Sequence, residues 1–280
     1  MAPKAVAVVQ VETENPAEFE AQNVHNIYDA IASHFSSTRY KPWPIIAAFL
    51  NGIPSGWVGL DSGTGNGKYL PLPQDRPGEV WTIGMDMSRN LLEFAKTAGG
   101  VAREVVQGNV VDNSWRSGIF DYAISIATIH HLATPERRML AVQAMQRLIE
   151  AVAPDHGRVM IYVWAIEQDE LSKRAVPVEG ENSEKADLKG GQDVVVPWVL
   201  SKPQTSASEP AKKEVYNRYY HMFAKGELPA LVAAAAEAMG LMLGPKPTRT
   251  QEAGSVAGLE IVQDGWERSN YYVELHRWRS

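Results

Sequence analysis

The chain contains no cysteine. There can therefore be no disulfide framework, no thiolate zinc site and no cysteine nucleophile. An excess of positive charge is also missing. With 33 acidic against 27 basic side chains the net charge is −6, the wrong sign for holding nucleic acid by bulk charge. A nucleic-acid partner would need a local basic patch or a helper subunit. Long apolar runs are scarce as well. The longest, Leu228 to Leu243, contains Pro229 and Glu237 and falls short of the roughly 20 residues that span a bilayer. Ala5 to Val11 is apolar but short, follows only Lys4 and runs into Glu12 and Glu14, which makes a poor signal peptide. The expectation is a soluble intracellular protein with no membrane partner, in the cytoplasm, the nucleus being the second compartment considered.

What is present is ordinary for a globular enzyme. Hydrophobic residues make up 45% and charged residues 21% of 280 positions, so any disorder must be local. At about 150 residues per domain the chain is one elaborated α/β domain or a domain with a modest appendage. We divide it into a disordered stretch, 1–14, and one domain, 15–280. A first helix starts with Asn15 as cap and Pro16 at the first helical position. The segment SSTRYKPWP, Ser36 to Pro44, then breaks the helical period.

From Trp57 onward short apolar runs alternate with helical segments, the signature of βαβ units. Strands are expected at Trp57 to Leu60, Val80 to Met85, Glu104 to Val106, Tyr122 to Ala127 and Arg158 to Ala165, with helices near Ser88 to Ala98 and Pro135 to Val152. These complete a cofactor-binding core, 15–166. The following 167–213 loses periodicity and reads as a flexible insertion, interrupted by one apolar island, Val194 to Leu200. The remainder, 214–280, supplies a helix around Leu228 to Met239 and strands near Gly258 to Gln263 and Tyr271 to Trp278.

The strongest local signal is Asp61-Ser62-Gly63-Thr64-Gly65-Asn66-Gly67 where the first strand meets its crossover helix. Alternate glycines let backbone press against a ligand at the carboxyl edge of a sheet. The dinucleotide fingerprint would need another glycine at position 68, which is Lys68. The leading acid and this spacing instead resemble the methionine-binding loop of class I S-adenosylmethionine methyltransferases. Asp86 ends the second strand, where a carboxylate can accept both ribose hydroxyls; it can equally be a helix N-cap, a role for which Ser88 competes. Asn109 follows the third strand, where an acid or amide would read adenine, and Asp112 is close enough to substitute. His130 and His131 leave the fourth strand together, and at most one is expected to face a site. Arg137 and Arg138 sit in the first turn of the next helix, against the macrodipole, as pairs for acidic neighbours or as phosphate contacts.

A more specific resemblance then emerges. IYDAIASHFSSTRYKPWP (Ile27 to Pro44), DSGTGNGKYL (Asp61 to Leu70), ISIATIHHLAT (Ile124 to Thr134), IYVWAIEQ (Ile161 to Gln168), QDVVVPW (Gln192 to Trp198) and NRYYHMFAKGEL (Asn217 to Leu228) resemble the eukaryotic tRNA wobble-uridine carboxymethyl methyltransferases. The likeness extends over roughly Asn23 to Arg277. The glycine loop is common to the superfamily, whereas TRYKPWP with QDV-x-VPW and RYYH is highly specific. Two positions depart from the family pattern: Thr64, where cysteine is frequent, and Asn109, where aspartate is.

The resemblance implies a doubly wound, Rossmann-like α/β fold with strand order 3-2-1-4-5-7-6 and methyl transfer from S-adenosylmethionine to 5-carboxymethyluridine at tRNA position 34. It implies catalytic positions at Arg39, His131 and Trp164. Cofactor contacts fall at Asp61, Gly63, Gly65, Gly67, Tyr69, Asp86, Asn109, Val110 and Ile126. Substrate contacts fall at Tyr40, Lys41, Trp43, His130, Arg137, Arg138, Arg218 and Tyr219, and no metal is implied. It also implies a heterodimer with a small zinc-binding activator protein, which would add a strand at the edge formed by Glu104 to Val106.

The residue inventory agrees with this chemistry. Methylation at pyrimidine C5 commonly needs a cysteine, and there is none, so a heteroatom nucleophile is preferred. A carboxylate with a pKa of about 4 is already ionised at neutral pH and needs no general base. Two alternatives share the glycine loop: a small-molecule carboxyl or quinone-type methyltransferase, and an inactive Rossmann-like scaffold. The aromatic and basic set around Arg39 and Arg218 favours RNA.

Overall fold

The computed structural model describes residues 4–11, 13–132, 138–170, 172, 174–175, 190–201, 213–247 and 256–280. Asn15 caps α1 (Pro16–Glu20) by accepting the Glu18 N–H, and Pro16 takes the first position, where its missing N–H is not needed. A π turn at Ala21–His25 joins α1 to α2 (Asn26–Thr38). Helix α2 continues into the segment read as loop from Ser36, because the hydroxyls of Ser37 and Thr38 bond back to the His34 carbonyl. The chain leaves the helix at Arg39, and Pro44 starts a short helix, α3 (Pro44–Asn51), which has no counterpart in the sequence reading.

The central sheet holds β1 (Val58–Ser62), β2 (Trp81–Asp86), β3 (Val105–Gln107), β4 (Tyr122–Ile126) and β5 (Arg158–Trp164) in parallel. All five lie within two residues of their expected limits. Three helices separate or follow them: α4 (Arg89–Ala95), α5 (Arg138–Ala151) and α6 (Glu227–Ala238). A second, smaller sheet contains β6 (Gln192–Ser201) and β7 (Lys213–Met222), and the main sheet ends with β8 (Ala257–Glu267) and β9 (Asn270–Arg279). The order across the main sheet is β8-β9-β5-β4-β1-β2-β3, with Met242–Leu243 outside β8. Counting only these seven strands along the chain gives the expected 3-2-1-4-5-7-6.

Both faces of the sheet are covered, as parallel strands require. Successive side chains of β5 show this directly: Val159, Ile161 and Val163 pack towards α5 and α6, whereas Met160 and Tyr162 pack with Ile46, Phe49 and Leu50 of α3. The carboxyl ends of β1, β2 and β4 consequently open onto one crevice.

Two stretches differ from the sequence reading. The apolar island in the expected insertion is part of β6, which pairs antiparallel with β7 along ten residues of each strand. Ala7–Val8, in the stretch expected to be disordered, pairs with the other edge of β6. Val194, Val196, Tyr220 and Met222 bury one another and Val6. Such a strand is stabilised by partners distant in sequence, which local periodicity does not register. Residues 171, 173, 176–189 and 202–212 of the expected flexible insertion lie outside the described residues.

Candidate active site

The glycine loop leaves β1 through a tight turn. Gly63 has φ of 90°, and a Cβ there would come within 2.0 Å of Thr128 Oγ1, so only glycine fits. At Gly65, φ is 57° and the space beside the Cα is open. Asp61 lies behind the loop, fully buried, its Oδ2 accepting the Thr64 hydroxyl at 2.7 Å. Burial pushes its carboxyl up to about 7. The departure at Thr64 thus has a structural use: its hydroxyl bonds Asp61 while its methyl fills the space over Gly84. Gly67 packs on Ala95 of α4. Asp61 and Gly67, expected to touch the cofactor, instead shape the loop from behind, since neither borders the cavity.

Asp86, at the end of β2, faces that cavity. Its Oδ2 accepts the Gly65 N–H at 2.8 Å and its Oδ1 accepts the Ser88 N–H at 2.9 Å. The N-cap of α4 is Ser88, whose Oγ accepts the Leu91 N–H at 3.2 Å and whose hydroxyl donates to Asp29. The Met87 N–H also bonds this carboxylate, so of its roughly four lone-pair sites about one remains for a ribose hydroxyl. Burial raises its carboxyl pKa. Asn109 borders the cavity with Val110 and Ile126, and its Oδ1 accepts the Val111 N–H at 3.2 Å, leaving both amide hydrogens available. Asp112, the alternative, is exposed and away from the wall.

The cavity has a volume of about 660 Å³ and runs from the glycine loop to the inner face of β7. At its far end Trp164 and Tyr220 stack with ring centroids 4.0 Å apart and planes at 13°. His131 stands beside them, its Nδ1 3.0 Å from the Tyr219 carbonyl and its Nε2 3.2 Å from the Tyr28 hydroxyl. Burial drives its pKa down to about 3, so the imidazole is neutral. His130, fully buried, accepts the Trp164 N–H at Nδ1. Both histidines reach the cavity wall, although only one was expected there, because Ile129–His131 is a 3-10 turn and not an extended exit. Just before it, Ala127 holds φ of 57°, a strained conformation for alanine at the mouth of the crevice.

Two guanidiniums share this end. Arg218 Cζ lies 4.5 Å and Arg39 Cζ 5.4 Å from the ring centroid of Trp198. Among the described residues no carboxylate forms an ion pair with either. Burial, and then the neighbouring charge of Arg218, lower the Arg39 pKa. Tyr28 bonds Arg218 as well as His131.

Other expected contacts fall as follows. Tyr69 borders the cavity from under the loop, and Trp43 does so with its ring 4.5 Å from that of Tyr162. Tyr40 and Lys41 lie exposed at the mouth. Tyr219 points away: its ring packs edge-on against Phe19 and its hydroxyl donates to Asp193. Strand alternation puts Arg218 and Tyr220 on the cavity side and Tyr219 on the other. Arg137 lies outside the described residues, as does the side chain of Arg138. Tyr28, Lys68, Trp198 and Tyr220 were missed. Tyr28 sits among the buried residues Val24, Ile27 and Ile31, where an aromatic ring gives no sign of a site; period-two alternation from Arg218 would have found Tyr220.

The general methyltransferase-domain family matches residues 60–151. A tRNA (carboxymethyluridine(34)-5-O)-methyltransferase of Schizosaccharomyces pombe is 36% identical over 266 residues, covering 91% of this chain and 96% of the relative. The chain belongs to that family. A Saccharomyces cerevisiae member is 39% identical over 206 residues, covering 72% of this chain and 67% of the other. A Burkholderia thailandensis 1,6-didemethyltoxoflavin-N1-methyltransferase, solved with S-adenosylhomocysteine, superposes with a TM-score of 0.57 at 17% identity over 98% of this chain and 94% of its own, which establishes the class I methyltransferase fold. The family's cofactor, S-adenosylmethionine, fits the residues present: Asp86 faces the cavity with accepting capacity left for a hydroxyl, Asn109 has free amide hydrogens for a purine, and Gly65 leaves room for a backbone-hugging ligand.

Proposed function

We propose that the protein methylates the carboxylate of 5-carboxymethyluridine at the wobble position of tRNA, with S-adenosylmethionine as donor and a small zinc-binding activator protein as its partner. One observation carries the substrate class: Arg39 and Arg218 converge over Trp198 without carboxylate partners of their own among the described residues. Two such cations at one end of a cavity are suited to an anion that arrives with the substrate.

S-adenosylmethionine supplies the electrophilic methyl group. The two guanidiniums hold the substrate carboxylate through some of its lone pairs and leave another free to attack. The stacked pair Trp164 and Tyr220 walls the reacting oxygen from water. His131, neutral and engaged at both nitrogens, takes no proton. None needs taking, because the nucleophile is already ionised. Methyl transfer to the carboxylate oxygen would leave an ester that carries no charge. The ion pair with the guanidiniums is thereby lost, which favours product release. Tyr40, 62% exposed at the mouth, and Lys41 beside it are suited to stacking on neighbouring bases and meeting phosphates.

The partner reading rests on the edge strand. Gly84 donates to the Glu104 carbonyl and Gly108 to the Asp86 carbonyl, so the intervening main-chain groups of Val105 and Gln107 face outward. Val106, Phe94 and Val101 are exposed, an apolar edge of the kind soluble proteins cover. The test is mass spectrometry of tRNA nucleosides after incubation with cofactor and activator. Formation of the uridine methyl ester is expected; methylation of a small acid with no ester in tRNA would sink the assignment.

A further inference from the structure

Lys68 was set aside in the sequence as the residue that spoils a dinucleotide fingerprint, yet it borders the cavity beside the glycine loop. Its Nζ lies 4.4 Å from the centroid of the Trp43 ring and 4.8 Å from that of Tyr69. Two aromatic rings fix the ammonium in position but replace only part of its lost hydration. Among the described residues no carboxylate forms an ion pair with it. Asp61, whose charge reaches it, turns Oδ2 to Thr64. Burial, partly offset by Asp61 and reinforced by Arg39, lowers its pKa to about 8. A cation kept this way is costly unless an anion joins it.

The loop itself offers such an anion little. Gly63 and Thr64 both donate their N–H groups to the Met85 carbonyl, Gly65 donates to Asp86, and Gly67 donates to the Thr64 carbonyl. Those four donors are spent inside the protein, so a carboxylate laid along this loop gains from a side-chain cation. The cavity therefore divides its positive charge: Arg39 and Arg218 at the substrate end over Trp198, and Lys68 beside the loop over Trp43.

We propose that the Lys68 ammonium binds the α-carboxylate of the cofactor's methionine moiety, supplying the charge that the glycine loop does not. The inference rests on the cofactor assignment. The test compares two ligands by isothermal titration of the full chain: S-adenosylhomocysteine, and 5′-methylthioadenosine, which keeps the adenosine and thioether but has no amino acid group. Lys68→Met preserves an unbranched stem between the rings and removes the charge. It should weaken S-adenosylhomocysteine binding by about tenfold or more, the usual scale of a lost charge-assisted bond, while methylthioadenosine binds as before. Lys68→Arg should retain most of the affinity. Lys68→Gln gives the same contrast if the methionine variant does not fold. An equal loss for both ligands would make Lys68 a wall of the pocket and overturn the proposal. So would unchanged S-adenosylhomocysteine affinity with a raised KM for tRNA, which would assign the lysine to the substrate's carboxylate. If the unmutated chain bound neither ligand, the cofactor assignment itself would fall.

Discussion

The hydroxyl of Tyr28 stands 3.2 Å from Nε2 of His131. Since the other ring nitrogen faces the Tyr219 carbonyl, which can only accept, the proton resides on Nδ1 and Nε2 accepts from Tyr28. Tyr28→Phe would leave a buried nitrogen without its donor, a cost of about 1–3 kcal/mol, and would release Arg218. Turnover should fall about tenfold or more, in proportion to that energy, while S-adenosylhomocysteine affinity holds. Undiminished turnover in single-turnover assays would remove Tyr28 from the site.

If Arg39 holds the nucleophile and not the methyl donor, as proposed, Arg39→Ala should keep cofactor affinity and lower turnover by about 100-fold or more. Arg39→Lys should rescue poorly, since an ammonium lacks the fork. Parallel losses in titration and turnover would mean that Arg39 serves the fold.

Asp86 holds the Gly65 and Ser88 N–H groups, and in the proposed reading it also meets the ribose of the cofactor. Asp86→Ala should weaken cofactor binding by about 2 kcal/mol, some 30-fold. Asp86→Asn should lose less, because an amide oxygen still accepts. Ser88 caps the helix in either variant, so an unaltered dissociation constant would show that the carboxylate never meets the ribose.

His221 joins the two sheets' surroundings through charge. Its Nδ1 is 2.7 Å from Asp193 and its Nε2 2.8 Å from Glu227, the first residue of α6. Burial opposes protonation, but the two carboxylates outweigh it and push the pKa up to about 9. A raised folded-state pKa gives stability that is fully present below the ordinary histidine value of about 6.5 and is lost as pH rises through about 9. The melting temperature should decline across that window, and the decline should be absent in His221→Gln. Parallel pH curves for the two proteins would refute the triad's contribution.

Val105→Pro should abolish co-purification with the activator, because it removes an outward-facing N–H from the edge of β3 without touching the bonds to β2. Val106→Ala should be milder if backbone pairing dominates. Normal recovery of the complex with a folded Val105→Pro chain would move the interface elsewhere.

Much of this protein is written in local pattern. The strands of the main sheet, the Asn15 cap, the glycine loop and the place of Asp86 at the end of β2 were legible because each depends on residues a few positions apart, where side-chain period, φ preference and capping act. The absence of cysteine and the aromatic and basic motifs around Arg39 and Arg218 likewise narrowed the chemistry before any fold was known. Tertiary structure decided what depends on distant partners. It made a strand of Val194 to Leu200 by pairing it with β7 and with Ala7–Val8. It turned Tyr219 outward and Tyr220 inward, withdrew Asp61 behind the loop, and kept His131 neutral by burying it, against the opposing pull of the Tyr219 carbonyl. It also enclosed Lys68 between Trp43 and Tyr69. Burial, register and the fate of each hydrogen bond are properties of the packed chain, because they depend on which remote groups displace water from a side chain.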